Sequence, residues 1–213
     1  PLGIFGGMVS TTATTLSYAR FGRDPASAPL AKQVILVANL VLPVRLAVVA
    51  AIVAPSFFFS HAAPVLGVSF VVGGIATWFV TRGIVQHGDL PGVRTKNPTE
   101  LKAAFSFGFL FAVVLLLSAW LRDIAGDKGL YLVALAAGIT DIDAIALSSM
   151  RMVANAEIGG TTAITAIVLA LVSNQAAKLV YVLSAGGRAL FNRCVVPMAA
   201  PAVAALLAVF AFA

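Results

Sequence analysis

Apolar runs about twenty residues long recur along the whole sequence, parted by short clusters of Gly, Pro and charge. Coiled as an α-helix, a run of that length matches a hydrocarbon core of roughly 30 Å. Lipid offers no hydrogen-bond partners, so a spanning segment must be a helix or part of a closed barrel. The alternating ten-residue pattern of barrel strands is absent. Charged residues make up only 10% of the chain against 61% hydrophobic, and the mean hydropathy is +1.02, which leaves too little charge to cover a soluble surface. The sequence therefore predicts an all-α fold, a polytopic transmembrane bundle of about seven helices.

Polar punctuation sets the expected spans. A shortened opening helix covers about 1–20 and ends at Arg20, Arg23 and Asp24. Spans of about 28–54 (closed by Pro55), 62–82, 100–122, 129–151, 158–185 and 189–212 follow, with a polar loop at 83–99 that Gly, Pro and charge exclude from the membrane. If each span crosses, Arg20, Arg23, Lys32, Arg82, Arg94, Lys96, Lys102 and Arg151 share one face, against Arg122, Lys128, Arg188 and Arg193 on the other. That imbalance makes the first face, and loop 83–99, cytoplasmic. Residues 1–213 read as one transmembrane domain of two similar parts, 1–82 and 100–213. The opening "PLGIFGGMVS" lacks an initiator Met and room for a full span, so a longer polypeptide is expected.

Several functions are disfavoured. The net charge of +6 is spread between apolar runs as topology signals are, so nucleic-acid binding is not expected. Cys194 stands alone, which removes an intramolecular disulfide and a cysteine-based zinc site, and it reads as a buried hydrophobe. His61 and His87 are far apart and read as ordinary loop residues. No nucleophile–base pair, HExxH or phosphate loop is present, so no catalytic residue and no enzyme activity is predicted.

The segment "ALAAGITDIDAIALSSMR" places Asp141 and Asp143 where burial costs most. Set without gaps against "GMVSTTATTLSYAR", it matches Gly7 with Gly138, Ala13 with Ala144, Leu16 with Leu147, Ser17 with Ser148 and Arg20 with Arg151. Ser10 and Thr12 then fall at the positions of Asp141 and Asp143. Each motif precedes a span with an Asn and then a base, Asn39 with Arg45 and Asn174 with Lys178. Duplicated halves with a site at their junction are a habit of transporters. The motifs lie four crossings apart, so like-oriented halves are expected.

Gly7 and Gly138, each followed by Ser, Thr or Asp, predict a helix that breaks and restarts, because Gly tolerates unusual dihedrals and those residues cap helices. In one unbroken helix Asp141 and Asp143 would stand about 200° apart; at a break both can point inward. Asp141 lies roughly 18 Å from the outer end of its span, and Arg45 and Lys178 lie roughly 12–14 Å from theirs. Acids and bases thus fall in one mid-bilayer slab, where at least one Asp is expected to pair with Arg45 or Lys178. Thr140, Thr11 and Thr12 with Ser10, Asn39 and Asn174 would supply further ligands. Blander roles compete: Arg45 and Lys178 as snorkelling bases, Asp141 as a cap only, the Asn pair as interhelical glue, Ala134, Gly138, Ala144 and Ser148 as packing positions, and Thr161, Thr162 and Thr165 bonded back to their own helix.

The strings "GGMVSTTATTLSYAR", "NPTELKAAFSFG", "DKGLYLVALAAGITDIDAIALS" and "SNQAAKLV" resemble the membrane domain of unknown function that follows the MgtC/SapB-type domain in bacterial proteins. The resemblance covers nearly the whole chain. It implies a multi-pass protein of the bacterial inner membrane, preceded by an MgtC-like part and associated with magnesium or other ion transport, with no established substrate.

The leading expectation is a transporter or channel-like module for a small ion. Mg²⁺ would want oxygen ligands, with Asp141 and Asp143 as candidate metal ligands. Arg45 and Lys178 argue against a bare cation cage and for ion-pair or gating roles. An anion at helix N-termini, or a proton-coupled solute, is the variant reading. A regulatory or scaffold module that binds another membrane protein is the alternative of a different class. Expected partners are the bilayer, a small inorganic ion, the preceding part of the chain and, as an option, a second copy of it. No cofactor is called for beyond such an ion.

Overall fold

The computed structural model describes residues 2–82 and 100–212, and every regular element among them is helical. The expectations for 83–99, including His87 and a cytoplasmic loop, lie outside the described residues. Helix α1 (Leu2–Val9) is followed after one residue by α2 (Thr11–Phe21). A short turn leads to α3 (Ala28–Val53), which starts with Pro29 in its first turn and carries Pro43 inside. Pro43 has no N–H to offer the carbonyl four residues back, that of Asn39.

Pro55 does not hold the next helix off until residue 62 as the sequence reading had it. It opens α4 (Pro55–Phe57), which passes through a π-helical turn at Phe58–Ala62 into α5 (Ala63–Thr81). Proline suits a first helical turn as well as it ends a helix, because the N–H it lacks is unsatisfied there anyway. His61 consequently lies in the π-helical turn, stacked on Phe57, rather than in a loop.

Helix α6 (Glu100–Ala125) precedes α7 (Asp127–Thr140) and α8 (Ile142–Ala154), again separated by one residue. Helix α9 (Gly160–Tyr181) runs through a π-helical turn, Val182–Gly186, into α10 (Gly187–Phe212). Gly187 takes φ of 82°, a left-handed region that favours glycine, and the chain turns back there. Gln175 Nε2 then donates to the Met198 carbonyl at 3.0 Å, which pins the two arms side by side.

Three helical stretches among the described residues, Ala28–Val53, Pro55–Thr81 and Gly160–Phe212, are long and apolar enough to cross a membrane. The last of them contains the Gly187 turn and so consists of two antiparallel arms. Large apolar side chains also face outward. Val9, Ile52, Phe59 and Phe210 are 75–83% exposed, a surface suited to lipid and costly in water.

The packing has a repeated pattern. Helix α3 carries α1, α2 and α5, while α9 carries α7, α8 and α10. The two sets meet where α5 packs on α10, α3 on α8 and α2 on α9. Leu42, Leu46, Leu130, Ile145, Ile164 and Ile167 fill one apolar core, and Tyr18, Ile35, Leu36, Leu190 and Met198 a second.

Candidate functional site

Two residues interrupt the helices at aligned positions. Ser10 is extended (φ −162°, ψ 114°) and caps α2, its Oγ accepting from the Ala13 amide at 3.2 Å. Asp141 is extended too (φ −152°, ψ 123°) and caps α8, its Oδ1 accepting from the Asp143 amide at 2.9 Å. Short polar side chains favour such positions because they satisfy amides that the first helical turn leaves free.

The breaks do not fall on the glycines, which corrects one expectation. Gly7 and Gly138 are buried inside α1 and α7, three residues before each break. A Cβ on Gly7 would stand 2.7 Å from the Ala38 carbonyl oxygen, and one on Gly138 2.5 Å from that of Ala170. Both glycines therefore let a half-helix lie directly against α3 or α9. Close approach is their task, and the caps make the break.

Both breaks open onto one polar cavity of about 320 Å³, lined by Val9, Ser10, Thr11, Thr12, Arg45, Thr140, Asp141, Ile142, Asp143 and Asn174. Helix N-termini and C-termini from both motifs meet there, so the cavity has exposed backbone donors and acceptors without a water-facing loop. Asn174 Nδ2 donates to the Gly138 carbonyl at 2.9 Å, and Arg45 Nη1 reaches the carbonyls of Met8 and Gly7 at 3.3 and 3.4 Å. Each half-helix end before a break thus has a donor from the opposing span.

The expected ion pair joins Arg45 to Asp143. Arg45 Nη2 donates to Oδ2 at 2.6 Å and to Oδ1 at 2.8 Å, with 23% and 32% of the two side chains exposed. A guanidinium so engaged is a wall of the cavity and not a snorkelling base. Arg45 also borders an apolar groove formed with Ile4, Met8, Val41, Val44 and Phe70.

Lys178 behaves otherwise than the sequence suggested. It is fully buried and bonds to neither aspartate; Nζ donates to Thr11 Oγ1 at 2.7 Å and to Asn39 Oδ1 at 3.1 Å. Asn39 Nδ2 in turn donates to Thr15 Oγ1 at 3.1 Å and to the Ile35 carbonyl at 2.8 Å, and Thr15 Oγ1 donates to the Thr11 carbonyl at 2.8 Å. Lys178 and Asn39 therefore stand behind the cavity wall, fastening α9 and α3 to the first turn of α2. Thr15 belongs to this network and was missed. It sits one turn beyond Thr11 on the same helix face, a spacing that could have suggested it.

Of the other polar residues, Thr140 Oγ1 bonds back to the Ala137 carbonyl at 3.0 Å and Thr165 to that of Thr161 at 2.7 Å. Thr162 instead donates to Asp127 Oδ2 at 2.8 Å, across to the start of α7. Ala134, Gly138, Ala144 and Ser148 are all buried, as packing positions are, and so is Cys194. No group of three or more His, Cys, Asp or Glu side chains that could hold a metal occurs among the described residues. With Asp143 committed to Arg45, the two aspartates do not form a joint carboxylate cage.

A family model described as "Domain of unknown function (DUF4010)" matches residues 2–186. The chain is also similar to an "Uncharacterized protein" of Aquifex aeolicus (strain VF5), 28% identical over 188 residues that cover 88% of this chain and 82% of the relative. No solved structure matches.

Proposed function

This chain belongs to the family described as domain of unknown function DUF4010, a description that carries no activity, and from the site itself we propose that it is a multi-pass membrane transport module for a small ion. One observation carries the proposal: Ser10 and Asp141, far apart in sequence, break two helices onto the same polar cavity. Broken backbone at membrane depth is tolerated where it lines a binding or water-filled space. A stretch that only filled space would have cost less as two plain apolar helices.

The same reading takes the two packing sets around α3 and α9 as like-oriented halves, with the intervening residues 83–99 on the cytoplasmic side of a bacterial inner membrane. The link to a preceding MgtC/SapB-type domain and to Mg²⁺ rests on the motif resemblance. It is Arg45 and Lys178 that speak against a bare divalent cage. No catalytic step is assigned.

A regulatory scaffold is the second reading, supported by Lys178, whose amine is held like a bolt between three helices. Proteoliposomes separate the two. Under the transport reading, ion or solute flux depends on Asp141, and Asp141→Asn abolishes it in protein that still inserts and purifies. Absence of flux for every solute tried, with intact binding of a membrane partner, would favour the scaffold.

A further inference from the structure

The cavity is chemically lopsided. At the start of α8 the chain supplies its own negative charge: Asp141 caps the helix and Asp143 lies in its first turn. At the start of α2 the aligned residues are Ser10 and Thr12, which carry none. Ser10 satisfies the Ala13 and Thr14 amides, while those of Thr11 and Thr12 find no acceptor among the described residues. An N-terminus with free amides and neutral caps favours an anion. The second half shows what kind suits such a break, since there the occupant is a carboxylate.

The opposite wall asks for the reverse. Asp141 has no basic partner within ion-pair distance among the described residues, Arg45 being engaged by Asp143. Beside it Asn174 is 1% exposed, and its Oδ1 has no hydrogen-bond partner. The bond from Nδ2 to the Gly138 carbonyl fixes which way the amide faces, so an acceptor is what remains. A carboxylate and an orphaned buried carbonyl oxygen together call for a cationic donor.

We propose that the cavity binds a small zwitterion, with its carboxylate on the Thr11 and Thr12 amides and its ammonium against Asp141, on the wall that Asn174 helps to form. Size agrees, because about 320 Å³ lies near the lower end of small-molecule sites, which begin at roughly 300 Å³. So does charge. Arg45, Lys178, Asp141 and Asp143 sum to zero in their ionised forms, and a zwitterion leaves that balance intact where a lone ion would upset it. The inference rests on the transport reading of the cavity and narrows "small ion" to a solute bearing both charges.

Calorimetric titration of the purified full chain in nanodiscs tests it, with glycine, alanine and β-alanine set against acetate, methylammonium and MgCl₂. At least one zwitterion is expected to bind roughly tenfold or more tightly than any of the single-charge probes. Thr12→Asp, which copies the second motif's own carboxylate into the first, is expected to weaken that binding by about tenfold or more, and so is Asp141→Asn, which keeps a good cap. Thr12→Asp leaving the affinity unchanged would overturn the proposal. Acetate, methylammonium or Mg²⁺ binding as well as the zwitterions would also overturn it, as would no binding by glycine, alanine or β-alanine. Since binding is read rather than flux, a protein that carries Mg²⁺ yet ignores zwitterions would defeat this inference and leave the transport reading standing.

Discussion

Arg45 and Asp143 are joined by a single guanidinium nitrogen that reaches both carboxylate oxygens, at 2.6 and 2.8 Å, and this pair ties α3 to α8 across the cavity. Neither group is fully enclosed, so its worth is discounted for screening. Asp143→Asn and Arg45→Met are each expected to lower stability by about 1–3 kcal/mol. Their combination should cost less than the sum, because the double change leaves no unpaired charge. Unfolding midpoints of the four proteins in one detergent check this; strict additivity would mean that the pair is not coupled.

Lys178→Met deprives Thr11 Oγ1 and Asn39 Oδ1 of their shared donor inside a closed space. The expected loss is about 2–4 kcal/mol. Asn39→Leu should recover part of it, and an Asp141→Asn change should not, since no bond links that carboxylate to the lysine. Thermal denaturation of the three double and single variants distinguishes the partners. Rescue by Asp141→Asn would place the lysine's working partner elsewhere.

Gly138→Ala is expected to push α7 away from α9, because the new methyl meets the Ala170 backbone, which has no rotamer to yield with. Overpacking of this kind costs about 1–3 kcal/mol. Gly7→Ala should behave alike against Ala38. Gly67→Ala and Gly74→Ala meet nothing within 4 Å and are expected to be neutral or slightly stabilising, as helical Gly→Ala changes are. A proteolysis or thermal-shift series of the four separates packing glycines from free ones.

Cys194 is fully buried and should stay unmodified by a water-soluble maleimide in the folded protein. Thr140→Cys, on the cavity wall, is expected to react when reagent is supplied from the side onto which the cavity opens. Added zwitterion should slow that reaction. Mass spectrometry of labelled membranes reads both, and equal labelling of Cys194 would show a looser fold than the one described.

Much of the helical layout could be read from apolar runs, and the breaks were legible because Ser10 and Asp141 are caps in the middle of spans. The partners of Lys178 were not. Composition places a lysine at mid-span, but its side chain follows the rotation of α9, and only packing against α2 sets that. Gly7 and Gly138 misled for a related reason: glycine marks both a bend and a close contact, and the second is invisible until the facing helix is known. Pro55 was similarly two-sided, a stop for one helix and the first turn of the next.

The enclosed amine of Lys178 also bears on how the chain is made. Its acceptors, Thr11 and Asn39, lie on helices synthesised long before α9. Under the multi-pass reading proposed above, a ribosome feeding segments into the bilayer in order would therefore deliver the lysine to a berth already built. A circular permutant that begins at α6 would reverse the sequence of arrival. It would present the ammonium to lipid with no acceptors waiting, and would be expected to stall or be degraded even though its finished contacts would be the same.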